Sequence, residues 1–244
     1  MESVASPPWM FRTRSIKFIA FVAAFVVFSI VVASGATKAI DDPVNRFAKS
    51  IQGDPGLDTA MLAITTMGDV GTLFLFAIII TIIRRTRKVG MIFLITIVVL
   101  AILIMYIKPV FGRQVPPYEF APAVELPENF GIEGDSLAPF SAGFSYPSGH
   151  MARSTALAFI IGYLLYKKSR MAGYAVWALP VMIGITRVYV QQHYPMDLIG
   201  GFLIGLIVSV ALSNAMKIWQ PFQLSRFKGK EGEQKAGRKG NAAG

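Results

Sequence analysis

Six apolar segments, each close to the length of a membrane-spanning helix, constrain this chain more than any other feature. They run at about 16–36, 59–83, 89–107, 149–166, 171–190 and 196–218. A helix needs roughly 20 apolar residues to cross about 30 Å of hydrocarbon. In lipid, every backbone polar group must be satisfied inside a helix or a closed barrel. The period-2 alternation of barrel strands is absent, so the spacing predicts an all-α polytopic bundle of six transmembrane helices. Charged residues make up 16% of the chain, against roughly 25% in soluble domains. The first segment follows basic residues and has the outline of a signal peptide. Its length and the weak cleavage match at Ala33-Ser34-Gly35-Ala36 predict an uncleaved anchor.

The net charge of +10 raises the question of a nucleic-acid partner, but its placement answers no. Arg12, Arg14 and Lys17 form one cluster; Arg84, Arg85, Arg87 and Lys88 a second; Lys167, Lys168 and Arg170 a third. Seven more lie between Lys217 and Lys239, so four clusters beside apolar runs hold 17 of the 24 basic residues. With six spans, all four fall on one side, which the positive-inside rule makes cytoplasmic, with both termini there. The opposite side receives 37–58, 108–148 and 191–195. Residues 1–220 are expected to form the membrane domain, and 221–244 a disordered basic cytoplasmic tail. The chain has no cysteine, which excludes disulfides, thiolate metal sites and cysteine nucleophiles.

Local features add detail. Asp54-Pro55-Gly56-Leu57-Asp58 reads as a turn followed by a helix cap. Asp69, inside the second apolar segment, is either an intramembrane functional group or the cap of a helix restarting after Gly68; the cap is preferred. Pro180 is expected to kink the fifth helix, and Gly201-x3-Gly205 to pack helices closely within the bundle.

The two histidines, His150 and His193, both sit where an apolar segment meets polar sequence on the outward side. Imidazole suits attack or proton movement near neutral pH. Ser148, after Pro147 and before an apolar run, is a good N-cap. The same geometry makes an anion site, because amides at a helix N-terminus point outward and Gly149 allows close approach. Alternatively Ser148 only caps, and His150 is a polar residue at the lipid boundary. Pro195 fits the first turn of the sixth helix. Asp197 then tilts back toward His193, where a carboxylate fixes the tautomer and leaves the other ring nitrogen to attack. Arg187 supplies a planar charged fork suited to phosphate, or else snorkels to the interface. Lys108 and Arg113 end the third helix on the same face, with the same alternative. Arg153, one turn beyond His150, is a further candidate. Together these residues suggest phosphate chemistry at a membrane surface.

They resemble the three signatures of the type 2 phosphatidic acid phosphatase superfamily. Pro147-Ser148-Gly149-His150 matches the second in full. Arg187, His193 and Asp197 match the third, Ser-Arg-x5-His-x3-Asp, with Thr186 in the serine position. The first, Lys-x6-Arg-Pro, is matched at Lys108 and Pro116, but Val115 stands where its arginine would be. The resemblance implies that His193 takes the phosphoryl group and Asp197 orients it. His150 would protonate the leaving oxygen and then activate water. Lys108, Ser148, Gly149 and Arg187 would hold the phosphate oxygens. It implies no metal and no other cofactor. An arginine bond to phosphate contributes about 1.5–3 kcal/mol. Its loss at Val115 corresponds to roughly 10- to 150-fold in rate, and Arg113 is expected to substitute if the loop bends at Gly112.

The function so implied is an integral lipid phosphatase of the cell membrane with an extracytoplasmic site, its partners being the bilayer and a lipid phosphate or diphosphate. An isoprenyl diphosphate carrier fits best, then phosphatidic acid or phosphatidylglycerol phosphate. Transfer to an acceptor hydroxyl and non-catalytic binding or transport are the alternatives. The 117–145 loop, with Tyr118, Phe120, Phe130 and Phe140, is expected to be a lid, a lipid-entry lip or a solvated connection.

Overall fold

The computed structural model describes residues 6–126 and 138–220. Among these residues nine α-helices follow in order: α1 (Ile16–Ala33), α2 (Lys38–Ser50), α3 (Pro55–Thr66), α4 (Val70–Ile82), α5 (Arg87–Phe111), α6 (Gly149–Tyr166), α7 (Arg170–Ala175), α8 (Ala178–Tyr189) and α9 (Pro195–Ala215). Among the described residues the one β pairing is an isolated bridge between Gln114 and Phe144.

Four apolar segments form single helices, and two are interrupted. The second divides into α3 and α4, bent by 51°. Asp69 caps α4 by accepting the Gly71 amide at 2.7 Å, and Asp54 caps α3 by accepting the Leu57 amide at 2.7 Å. The fifth segment breaks at Val176 and Trp177, between α7 and α8. Pro180 is the third residue of α8, a position whose missing amide costs no intrahelical bond. The break therefore precedes the proline.

By length and composition four helical stretches among the described residues can cross a membrane: α1, α5, the α7–α8 stretch and α9. Counting the bent α3–α4 pair as one span makes five. The expected sixth, α6, is not among them. His150, Arg153, Ser154 and Thr155 in its first two turns lower its apolarity, yet 15 of its 18 residues are buried. A helix surrounded by other helices does not need a lipid-compatible surface. It is the central element, packed by α5, α8 and α9. Glycines of α9 let it approach α6 within the bundle: a Cβ on Gly205 would stand 2.5 Å from the Ala152 carbonyl oxygen.

The 37–58 stretch, read from sequence as a connection, contains α2. This helix inverts the usual surface pattern. Asp41 and Asn45 are fully buried, whereas Ile40, Val44 and Phe47 are exposed. An outward apolar stripe on a helix that follows a membrane span suits the bilayer interface, and it turns the polar stripe toward the bundle. The 221–244 tail lies outside the described residues.

Candidate active site

The site forms where α2, α6, α8 and α9 meet the ends of α3 and α5. Ser148 is the N-cap of α6, its side chain accepting the Met151 amide at 3.4 Å. Its own amide donates to the Asp197 carbonyl at 3.1 Å. The two motifs, distant in sequence, are thus joined by a direct backbone bond.

Pro195 occupies the first turn of α9, as its sequence predicts, and Asp197 closes a capping box by accepting the Tyr194 amide at 2.8 Å. The same oxygen, Oδ2, lies 3.7 Å from His193 Nδ1. That separation allows an ion pair but exceeds hydrogen-bond length. His193 is buried, and its amide donates to the Arg187 carbonyl at 3.2 Å. The turn between them needs a left-handed residue, Gln191, at φ 57°. Arg187 itself is 1% exposed in the last turn of α8. Its Nη1 donates to Thr65 Oγ1 of α3 at 3.4 Å.

His150 is buried in the first turn of α6. Arg153 Nη2 lies 3.4 Å from its Nδ1, so the arginine one turn on does reach the imidazole. The break between α3 and α4 brings Gly68 against the same ring. Lys108 is buried in the last turn of α5, which continues through Pro109 to Phe111. Gly112, at φ 59°, ends that helix and turns the chain.

The turn carries Arg113 to two carboxylates. Nη1 donates to Asp197 Oδ1 at 2.6 Å and Nη2 to Asp41 Oδ2. The guanidinium also lies 4.2 Å from the centre of the Tyr194 ring. Burial works to lower the Arg113 pKa, but Asp197 and Asp41 more than offset it and hold it above its ordinary value. Val115, where the family's arginine would stand, donates its amide to the Gly143 carbonyl at 3.0 Å. A cleft of about 450 Å³ opens beside Arg113 and Tyr194, bordered by Lys38, Asp42 and Gln114.

Sequence reading missed the contribution of α2. Asp41 Oδ1 accepts the Met196 amide at 3.1 Å, and Asn45 donates to the His193 carbonyl at 3.1 Å. Their i,i+4 spacing opposite an apolar stripe was the available signal. Tyr146 was also missed. It is fully buried and shares a 2.7 Å hydrogen bond with Ser29, and burial raises its pKa to about 12.

Part of the 117–145 loop is fastened to α2 and α3. Lys49 donates to the Glu119 carbonyl at 2.6 Å, and the Ala123 amide to Asp58 Oδ2 at 2.7 Å. Phe120 packs edge-on to Tyr189, and Phe140 against Tyr106. Phe130 lies outside the described residues.

The sequence profile of the PAP2 superfamily matches residues 89–221, more than half of the chain. The chain belongs to the PAP2 superfamily. It is a membrane phosphatase. Its relatives include phosphatidylglycerophosphatase B of Bacillus subtilis, 26% identical over 197 residues, which cover 75% of this chain and 87% of that one. An undecaprenyl-diphosphatase of Sulfolobus acidocaldarius is 31% identical over 130 residues, 52% of this chain and 54% of that one. Among solved structures, the transmembrane PAP2-type phosphatidylglycerolphosphate phosphatase of Bacillus subtilis superposes with a TM-score of 0.68. It is 24% identical, with 86% of this chain and 100% of that one covered. LpxE of Aquifex aeolicus gives 0.53 at 22% identity, over 71% and 94%. These two likenesses establish a shared PAP2 fold.

Proposed function

We propose that this PAP2 phosphatase removes phosphate from a lipid phosphate or diphosphate at the extracytoplasmic face of the cell membrane. The observation that carries this reading is the bond from the Ser148 amide to the Asp197 carbonyl. It fastens the helix terminus suited to an anion to the helix whose carboxylate faces His193.

In this reading His193 attacks phosphorus, with Asp197 stabilising the imidazolium that results. His150 gives a proton to the leaving lipid oxygen, then takes one from the water that resolves phospho-His193. Lys108, Arg187, Ser148 and the Gly149 amide hold the phosphate oxygens, and the chemistry is positioning plus electrostatic stabilisation. The reaction needs no metal. The membrane domain spans 1–220 with six crossings, α6 being one, and both termini are cytoplasmic; 221–244 is a separate basic tail. The four basic clusters support this orientation.

An isoprenyl diphosphate is the favoured substrate, supported by the outward site and by an undecaprenyl-diphosphatase among the relatives. Phosphatidylglycerol phosphate stands next, supported by the phosphatidylglycerophosphatase relative, followed by phosphatidic acid. The test is phosphate release from a panel of these lipids by purified protein in detergent with chelator, without an acceptor alcohol. Wild type should release phosphate and His193→Ala should not. Loss of phosphate from the lipid only when an acceptor alcohol is added, with the phosphate recovered on that alcohol and none free, would indicate transfer. Equal inactivity across the panel would indicate a binder.

A further inference from the structure

Asp197 is asked to do two things with one oxygen. Its Oδ2 accepts the Tyr194 amide at 2.8 Å and stands 3.7 Å from His193 Nδ1. The terminal torsion of an aspartate is broad and roughly two-fold, so the helix alone does not fix which way the carboxylate plane faces. Something must hold the other oxygen. Arg113 Nη1 does so, donating to Oδ1 at 2.6 Å.

Arg113 is in turn held from α2. Its Nη2 donates to Asp41 Oδ2, while Asp41 Oδ1 accepts the Met196 amide one residue before Asp197. Asp41 and Asp197 are both fully buried. Two buried carboxylates so close would repel without the guanidinium between them. The planar fork suits this task because two of its nitrogens reach two acceptors at once; an ammonium is a point charge without that geometry. Asn45, one turn after Asp41, adds its bond to the His193 carbonyl. The polar stripe of α2 therefore addresses both the turn carrying His193 and the guanidinium that steadies its carboxylate.

We propose that Asp41 and Arg113 are positioning residues that lock the Asp197 carboxylate in the orientation facing His193. This rests on the reading of His193 as nucleophile. It assigns Arg113 to the carboxylate rather than to the phosphate oxygens, so Arg113 does not replace the arginine missing at Val115. Asp41 has no counterpart among the motif residues.

The experiment is a double-mutant cycle on the full chain in detergent. The probe is farnesyl diphosphate or dioleoyl phosphatidic acid, whichever the wild type turns over. Arg113→Gln and Asp41→Asn should each lower kcat by about 10- to 100-fold, the size typical when the group orienting a functional imidazole is lost. KM should stay within about twofold of wild type. In an Asp197→Asn background, Arg113→Gln should cost little more, because both changes break one chain of contacts. Arg113→Lys should recover only part of the loss.

Additive effects of Arg113→Gln and Asp197→Asn would overturn the proposal. So would a raised KM with unchanged kcat, which would place Arg113 on the substrate. Should Arg113→Gln fail to fold, Asp41→Asn decides alone, since a carboxylate cannot donate to phosphate: a fall in kcat supports the proposal and a wild-type rate overturns it. Full activity in His193→Ala would instead sink the nucleophile reading. Inactive His193→Ala combined with additive effects would sink only the present inference.

Discussion

Gly201 of α9 lies so close to Ser148 that a Cβ on it would stand 2.4 Å from the serine's carbonyl oxygen. That oxygen accepts the Ala152 amide and so begins the α6 helix. The glycine is what allows the helix carrying Asp197 and the helix capped by Ser148 to share one site.

Gly201→Ala should therefore displace the start of α6. Overpacking a core costs typically 1–3 kcal/mol, and a shift of about 1 Å at a reacting group costs on the order of 100-fold in rate. The expected result is folded protein with turnover reduced by about that factor. Gly184→Ala is the comparison, because its Cβ would meet only side-chain ends, at 3.2 Å from Leu198 and 3.4 Å from Met151. It should retain most activity. Both are read by phosphate release and a thermal melt.

Gly68 stands in a similar relation to His150, the proposed proton donor. A Cβ there would lie 2.7 Å from Ile183 Cγ2 and 3.0 Å from His150 Cδ2. Gly68→Ala should push the imidazole and lower kcat by roughly tenfold or more, with a smaller effect on melting than Gly201→Ala. Kinetics showing a loss only in KM would count against this assignment of the ring.

Asp58 binds only donors: the Tyr189 hydroxyl, the Ala123 amide at 2.7 Å and the Gly53 amide at 3.4 Å. In Asp58→Asn an amide NH₂ must face one of them. The substitution should destabilise by about 2–3 kcal/mol and loosen the 117–126 stretch. Thermal melting and limited proteolysis within 117–126 report the two effects; unchanged cleavage would show that the stretch is held by Lys49 and Phe120 instead.

The roles assigned to the two imidazoles set the pH dependence. Attack requires neutral His193, so activity falls toward acid; leaving-group protonation requires charged His150, so it falls toward alkali. A bell-shaped kcat/KM profile is expected. His150→Gln should abolish the alkaline limb in whatever activity remains, and a flat wild-type profile would contradict the pairing.

The parts of the site that were legible in sequence were local. Ser148 as a cap, Pro195 at a helix start, Asp69 as a cap and Asp197 turning back toward His193 each depend on residues within one helical turn. Five of the six apolar segments, counting the bent α3–α4 pair as one, were legible as spans for the same reason, since span length is a property of a continuous stretch. The two breaks were read less well. Asp69 marked one, but Pro180 drew attention to a position past the actual interruption at Val176 and Trp177. Central α6 was expected to be as lipid-compatible as the others, because a hydropathy scan does not report what surrounds a helix.

Order along the chain by itself determined a multi-helix membrane protein with His150 and His193 at helix ends, since hydrophobic length and helix capping act within short windows. Only tertiary structure decided that α2 turns its polar stripe inward, that Arg113 spends its fork on Asp41 and Asp197, and that Gly68 meets His150. Those pairings join residues far apart in sequence. The charged contacts are selected by the cost of burying a charge without a counter-charge, and the Gly68 contact by close packing. Both depend on the whole packed bundle, and the polar stripe of α2 signals an inward face without naming its partners.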